Sequence, residues 1–499
     1  MQRKSGVLLP IFSLDSGYGI GDFGKSGYNF VDFLRKSKQK IWQILPLAQT
    51  GLANSPYSSV SLKSYNPLFI SPELLFQQKL ITKKELSSLK TKANKVDYSL
   101  VQSKKMKVLR KAFLRFNIFE KGFQKFLKKK EQHSYALFMA IKNKNNGACF
   151  LDWEDGLKRK EENAIKDFEK YNKQEIMFWE FVQYIAKTQW LKLKKYANKK
   201  GISIFGDMPF YPSLDSVDVW DNSQYFKLDK DLNPTKVAGV PPDYFCEDGQ
   251  LWGNPVYDYE IQEKDNFSFW KDRIKDALTK FDIVRIDHFR ALDRYYEIDF
   301  NSTSAKEGEW VTSPGKKLID SINSVCKEGQ VIAEDLGMID DGVRNLLAYS
   351  KFYGMKVLSF AFDGNQDNLY LPKNIQSNFV CYTGTHDNDT ILGLIKSVDK
   401  NQYIAIKKIT INCFKEQGQS CQIKNRKDLA RQITKLGFYT LANVFIIPMQ
   451  DILLLDNEYR INVPGLVSDK NWSIIINKKY YNLQTIGQLK QITMHSKRG

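Results

Sequence analysis

The sequence predicts an α/β fold, a (β/α)₈ TIM barrel carrying large helical and loop insertions. Eight short apolar runs recur along the 499 residues. Most are apolar throughout rather than alternating, as parallel strands covered by helices are. Amphipathic segments follow several of them, and repeated alternation of strand and helix reads as a barrel. A doubly wound open sheet is the alternative.

The first run, VLLPIFSL (7–14), precedes the amphipathic segment YNFVDFLRKSK (28–38). Between them GIGDFGKS (19–26) fits the phosphate-loop pattern G-x-x-x-x-G-K-[ST]. In a phosphate loop the first glycine closely follows the strand. Here DSGY intervenes, and only ISIFGD offers an acidic strand for magnesium. The second run, IWQILPL (41–47), precedes residues 48–201, which are Lys-rich, helix-like and too long for one crossover. The third, ISIFGDMPF (202–210), precedes residues 211–280, rich in Pro, Gly, Asp and aromatics. Both stretches read as insertions after strands, where barrel enzymes build their sites. The first is expected to be a mainly helical subdomain and the second a loop-rich one over the site, within a single catalytic barrel spanning 1–499. The remaining runs are FDIVRIDHF (281–289), QVIAEDLG (330–337), MKVLSFAF (355–362), FVCYTGTHD (379–387) and VFIIPMQD (444–451). PGKKLIDSINSVCKE (314–328) and DDGVRNLLAYSK (340–351) supply amphipathic helices among them.

Hydrophobic residues at 42% and aromatics at 13% support a large core and argue against wholesale disorder. The net charge of +19 would suit a polyanion. However, the lysines are scattered on helix-like segments beside Glu and Asp, as in KLKKYANKK (192–200), and no nucleic-acid motif accompanies them. No nucleic-acid partner is expected. The six cysteines form no CxxC and no zinc spacing with His, which favours a reduced compartment and no metal site. No run approaches a membrane span, and the N-terminus lacks the pattern of a signal peptide. A soluble, cytoplasmic protein is expected.

Polar residues gather where the apolar runs end: Asp207; Arg285, Asp287 and His288; Glu334 and Asp335; His386 and Asp387; Gln450 and Asp451. In a barrel these ends converge on one face. Strand alternation puts Arg285 and Asp287 on one side and His288 on the other. Buried charges are costly unless paired or functional. Taken alone, an Arg–Asp pair serves stability as readily as chemistry. Several carboxylates, an arginine and two histidines, with no metal signature, suit glycoside chemistry. A retaining enzyme needs a carboxylate nucleophile and a carboxylic acid about 5–5.5 Å apart. Arg285 would keep Asp287 ionised, and the apolar frame VIAE would raise the pKa of Glu334.

The runs GVLLPIFSLDSGYGIGDFG, WQILPL, SPYSS, NPLFI, GDMPFY, DSVDVW, GVPPDYF, GQLWGNP, RIDHFR, AEDLG, YTGTHDNDT, PMQD and RINVPG occur in that order from Gly6 to about Trp472. They resemble the 4-α-glucanotransferase (amylomaltase) family, of the α-amylase-like superfamily. The phosphate-loop match looks like that family's first loop, with Lys25 and Ser26 just beyond it. The resemblance implies transfer of α-1,4-glucan segments among maltooligosaccharides, glucose and longer glucans, with no cofactor. It implies Asp287 as nucleophile, Glu334 as general acid/base and Asp387 as the third carboxylate, clamping sugar hydroxyls and stabilising the transition state. Asp207, Arg285, His288 and His386 would contact or flank the reacting sugar. Tyr57 and Trp252 would be aromatic platforms, and Asn462 would line the acceptor side. Trp252 lies in PPDYFCEDGQLWGNP (241–255), expected over the site. An α-glucosidase-like hydrolase and a non-catalytic glucan-binding protein are the alternatives. Departures from the family pattern are Ala291 where glycine is usual, SLKSYNP, Lys373 where histidine is common, and NWSII without the usual Trp-Arg ending. They bear on acceptor preference and outer-site affinity.

Overall fold

The computed structural model describes residues 3–242, 247–337 and 339–499. All eight apolar runs contribute strands to one parallel sheet. The barrel strands are β1 (Lys4–Leu8), β2 (Ile41–Gln43), β3 (Ser203–Met208), β4 (Ile283–Ile286), β5 (Val331–Ala333), β6 (Gly354–Val357), β7 (Phe379–Tyr382) and β8 (Val444–Pro448). They lie in the order β6-β7-β8-β1-β2-β3-β4-β5. The two ends meet: the Ala333 N–H donates to the Tyr353 carbonyl at 2.8 Å, and Ile332 bridges Tyr353 in parallel. The sheet is therefore a closed (β/α)₈ barrel, not an open doubly wound sheet.

The strands are shorter than the apolar runs, because the later part of each run turns out of the sheet towards the loops. β1 also begins before its apolar run. Lys4, Ser5 and Gly6 belong to β1, although none is a strand former. Ser5 is fully buried. At Gly6 a Cβ would lie 2.6 Å from Ile41 Cβ, so β1 approaches β2 closely only because that side chain is absent. Arg498 closes this end of the barrel, donating to the Phe438 carbonyl at 2.8 Å and the Thr440 carbonyl at 2.7 Å.

Residues 48–201 contain the helices Tyr98–Arg115, Lys121–Lys129, His133–Lys144 and Glu162–Lys199. The first two start at side-chain caps: Asp97 accepts from Leu100 N–H at 2.9 Å, and Glu120 from Phe123 N–H at 3.2 Å. The last helix leads straight into β3. On the way it grips the loop that follows β2. Gln183 exchanges two hydrogen bonds with the Tyr65 backbone, at 2.8 and 2.9 Å. From the helix His133–Lys144, Tyr135 donates to Gln49, and Gln132, just before the helix, donates to the Lys63 carbonyl at 2.9 Å. This helical layer thus fixes the loop carrying Tyr57.

Residues 211–280 are less loop-rich than expected. They contain the helices Val217–Asp221, Tyr259–Lys264 and Ser268–Lys280, the last buried along Trp270, Ile274 and Ala277 as the barrel helix before β4. They also contain the strands Lys236–Val240 and Gln250–Pro255. These join Arg294–Asp299 and Glu309–Thr312 in a four-stranded antiparallel sheet. The latter two strands lie beyond the expected insertion. RYYEID is rich in charge and EWVT is very short, so no apolar run marks either; Glu297 is satisfied by Lys227 at 2.7 Å. Residues 243–246, part of the loop expected over the site, lie outside the described residues, as does Cys246. The other five cysteines are free. Among the described residues no helix is long and apolar enough to cross a membrane.

Candidate active site

The C-terminal ends of β3, β4, β5 and β7 bring the expected polar residues together. Asp207, near the end of β3, is buried, and both its carboxylate oxygens accept from Arg285 of β4, at 2.9 and 2.8 Å. The Tyr57 hydroxyl donates to the same carboxylate at 2.7 Å. Burial pushes the Asp207 carboxyl up, against the pull of the guanidinium. The other terminal nitrogen of Arg285 reaches the Asp287 carboxylate at 2.8 Å. One buried arginine therefore bridges two carboxylates. Without it the buried Asp207 carboxylate would be costly to keep ionised.

β4 ends at Ile286, and the backbone then bends sharply. His288 has φ of 51°, in the left-handed region. This turn aims its backbone N–H at Glu334, just after the next strand, 2.8 Å from Oε2. The Leu336 N–H donates to the other oxygen at 3.0 Å. Main-chain bonds tie the two strand ends together, from Glu334 N to the Ile286 carbonyl (3.0 Å) and Phe289 N to the Glu334 carbonyl (3.1 Å). Burial pushes the Glu334 carboxyl up to about 8; Arg285 opposes this and the charge of Asp287 adds to it. His288, pushed down to about 4 by burial, is a neutral imidazole near pH 7. Trp252, half-exposed on the edge strand of the small sheet, meets its ring edge to face at 4.9 Å.

Asp387 follows β7. Asn462 donates to one oxygen at 2.6 Å, and the His386 Nε2 lies 3.2 Å from the other. Burial alone would raise this carboxyl. The field and hydrogen bond of His386, with the Asn462 amide, outweigh it and hold Asp387 down to about 2. His386 is buried and stacks on Tyr57, centroids 5.1 Å apart and rings 14° from parallel. Tyr57 thus presents one face to the imidazole and its hydroxyl to Asp207.

The structure joins all ten expected site residues through these contacts, but it separates their neighbours. Asp335 turns away from Glu334. It accepts from Met355 N–H at 2.5 Å and lies 3.5 Å from Lys356, as a buried structural carboxylate. Asp451 is likewise spent on Thr383 and on the Ile391 N–H, at 2.5 and 2.8 Å, and Gln450 donates to the Tyr459 carbonyl. Lys373 lies beside Gln366 and Glu416, in contact with none of the three carboxylates. Two residues that sequence reasoning passed over touch the site from behind. Trp472 packs its ring 5.9 Å from both Tyr57 and His386, with φ of 59°. Arg460 donates to the Asp387 carbonyl at 2.5 Å. Both lie in runs of the sequence, NWSII and RINVPG, in which the family resemblance points to Asn462 alone as a site residue. Among the described residues no group of three or more His, Cys, Asp or Glu could hold a metal ion. The arrangement offers Glu334 held protonated, Asp387 held ionised and Asp287 paired to Arg285, a combination that can protonate a leaving oxygen while stabilising positive charge.

Residues 9–479 match the family model described as 4-alpha-glucanotransferase. A 4-alpha-glucanotransferase from Clostridium butyricum is 42% identical over 471 residues, covering 93% of this chain and 94% of its own. One from Aquifex aeolicus is 41% identical over 485 residues, covering 96% of each. Among solved structures, the amylomaltase from Streptococcus agalactiae in complex with acarbose superposes with a TM-score of 0.93 at 36% identity, over the whole of both chains. The Corynebacterium glutamicum amylomaltase, at 17% identity and a TM-score of 0.78, covers 99% of this chain and 74% of its own and shares the fold.

Proposed function

The chain belongs to the 4-alpha-glucanotransferase family and is an enzyme of that activity, and we propose that Asp287, Glu334 and Asp387 carry its chemistry. The reaction moves an α-1,4-glucan segment from a donor to the 4-hydroxyl of an acceptor sugar. The observation that carries the assignment is the opposed charge state of neighbouring carboxyls: Glu334 pushed up to about 8, Asp387 held near 2, and Asp287 paired to Arg285 at 2.8 Å.

In the first step Glu334 protonates the glycosidic oxygen as Asp287 attacks the anomeric carbon. The C–O bond to the leaving sugar breaks and a glycosyl ester forms on Asp287. Esterification removes the negative charge of Asp287, one of the causes that raise Glu334, while Arg285 continues to lower it. Glu334 therefore becomes a stronger acid, and after losing its proton to the leaving sugar it stays ionised. In the second step it takes the proton of the acceptor 4-hydroxyl, which displaces Asp287. Two inversions retain the α configuration. Asp387 faces the positive charge that develops on the sugar ring, held ionised by His386 and Asn462. Asp207 and Tyr57 keep Arg285 in place.

Maltooligosaccharides, glucose and longer α-1,4-glucans are the substrates that this machinery suits. The test is incubation with pure maltotriose. Transfer gives a ladder of longer and shorter glucans with the number of reducing ends unchanged. A rise in reducing ends without longer products would mean that water is the acceptor, and no change in the sugar would mean binding alone.

A further inference from the structure

We propose that Arg460 is a positioning residue for the reaction, acting through Asp387; this rests on the reading of Asp387 as the carboxylate that stabilises the transition state. The guanidinium spreads its donors over three separate acceptors. Nε donates to the Asn462 carbonyl at 2.7 Å, one terminal nitrogen to the Asp387 carbonyl at 2.5 Å, and the other to the Asp389 carboxylate. It therefore holds the backbone of Asp387 and the backbone of Asn462, whose amide in turn holds the Asp387 carboxylate at 2.6 Å. The same two segments meet once more, where the Asn462 N–H donates to the His386 carbonyl at 3.1 Å. Both the carboxylate and its amide partner are thus set by one planar fork. About 70 residues separate Asp387 from Arg460 in the chain, so no local turn fixes their relative position.

Arg460 is about a fifth exposed and Asp389 about a third, so loss of their ion pair alone would cost little stability. The shape of the group matters more. A lysine keeps the charge but cannot address three diverging acceptors from one rigid plane. A small shift of Asp387 weakens its hold on the developing charge far more than it weakens ground-state binding of the sugar.

The experiment compares Arg460→Lys, Asp389→Asn, Asp387→Asn and the double variant Arg460→Lys/Asp387→Asn. The readouts are kcat and KM for maltotriose and for an α-glucosyl fluoride, with thermal unfolding as the folding check. Arg460→Lys is expected to lower kcat about 10- to 100-fold and to change KM less than about threefold. Asp389→Asn, which removes the charge of one of the three acceptors and leaves the two carbonyl bonds untouched, is expected to lose less. In the Asp387→Asn background the Arg460→Lys change is expected to cost nothing further, because the group through which it acts is already gone. Wild-type kcat in Arg460→Lys overturns the inference. So does a loss that adds in full to that of Asp387→Asn, or an equal loss in kcat and thermal stability, which would mark a purely structural role. If Asp387→Asn itself turned over like wild type, the reading of Asp387 would fall instead, whatever Arg460→Lys does.

Discussion

Replacing Glu334 by glutamine keeps the size of the side chain and removes the proton it donates. A carboxyl with pKa about 8 is roughly nine-tenths protonated at pH 7, whereas one at the ordinary 4.5 is only ~0.3% protonated. The burial of Glu334 therefore raises the fraction of competent acid by ~300-fold, worth roughly 3 kcal/mol of barrier. The Glu334→Gln variant loses this acid entirely. With maltotriose, whose leaving sugar must be protonated, turnover is expected to fall about 10²- to 10⁴-fold. With an α-glucosyl fluoride, the first step needs little protonation and is expected to fall less than about tenfold. The assay is initial rate against pH from about 5 to 9, following product sugars from maltotriose and free fluoride from the activated donor. Because the first step needs the protonated form, wild-type kcat/KM for maltotriose declines as pH rises through about 8, and fluoride release does not show that decline. Equal losses on both donors in the variant, or a wild-type alkaline limb of the same shape for both, would refute the assignment of Glu334 as the proton donor.

Trp252→Ala is expected to lower the ratio of transfer to hydrolysis in a folded protein, since its half-exposed indole meets His288 at the site and offers an apolar face for an acceptor ring; reducing ends counted against total maltotriose consumed check it, and an unchanged ratio removes Trp252 from the mechanism. His133 has Glu180 at 2.9 Å and Glu169 at 2.8 Å on its two ring nitrogens, and the Glu180 bond chiefly raises its pKa. Its stabilising effect is thus fully present below the unfolded value of about 6.5 and lost as pH rises through the folded value. The gap in melting temperature between wild type and His133→Gln is expected to shrink from pH 6 to 9, and a gap independent of pH contradicts this. Arg285→Met leaves Asp207 buried and unpaired, so it is expected to cost about 3–5 kcal/mol in denaturant unfolding, with part of the loss recovered by adding Asp207→Asn.

The barrel and its carboxylates were legible in the sequence for the same reason. A polar residue that interrupts a buried strand is conspicuous, and Asp207, Arg285, Asp287, Glu334 and Asp387 all stand at such interruptions. The same signal misleads at Asp335 and Asp451. It marks a carboxylate at a strand end but not the direction it faces, and the backbone sends Asp335 to Met355 N–H rather than to the site. The start of β1 is not legible because Lys4, Ser5 and Gly6 carry no apolar signal, although all three pair with β8 and Gly6 packs closely against β2. Arg460 and Trp472 meet Asp387, Tyr57 and His386 across about 70 or more positions, and no spacing in one sequence reports such a contact. RYYEID is hidden by its charge, with Glu297 paired to Lys227, and EWVT by its shortness.

The most informative single measurement is trapping of the covalent intermediate. An α-glucosyl fluoride whose 4-hydroxyl has been removed can glycosylate the protein but cannot serve as its own acceptor. Peptide mass spectrometry after brief reaction is expected to find one added glycosyl unit on Asp287, released when glucose is supplied as acceptor. The same donor is expected to leave Asp287→Asn unlabelled. A label on another side chain, or equal labelling of the Asp287→Asn variant, would contradict the double displacement through Asp287.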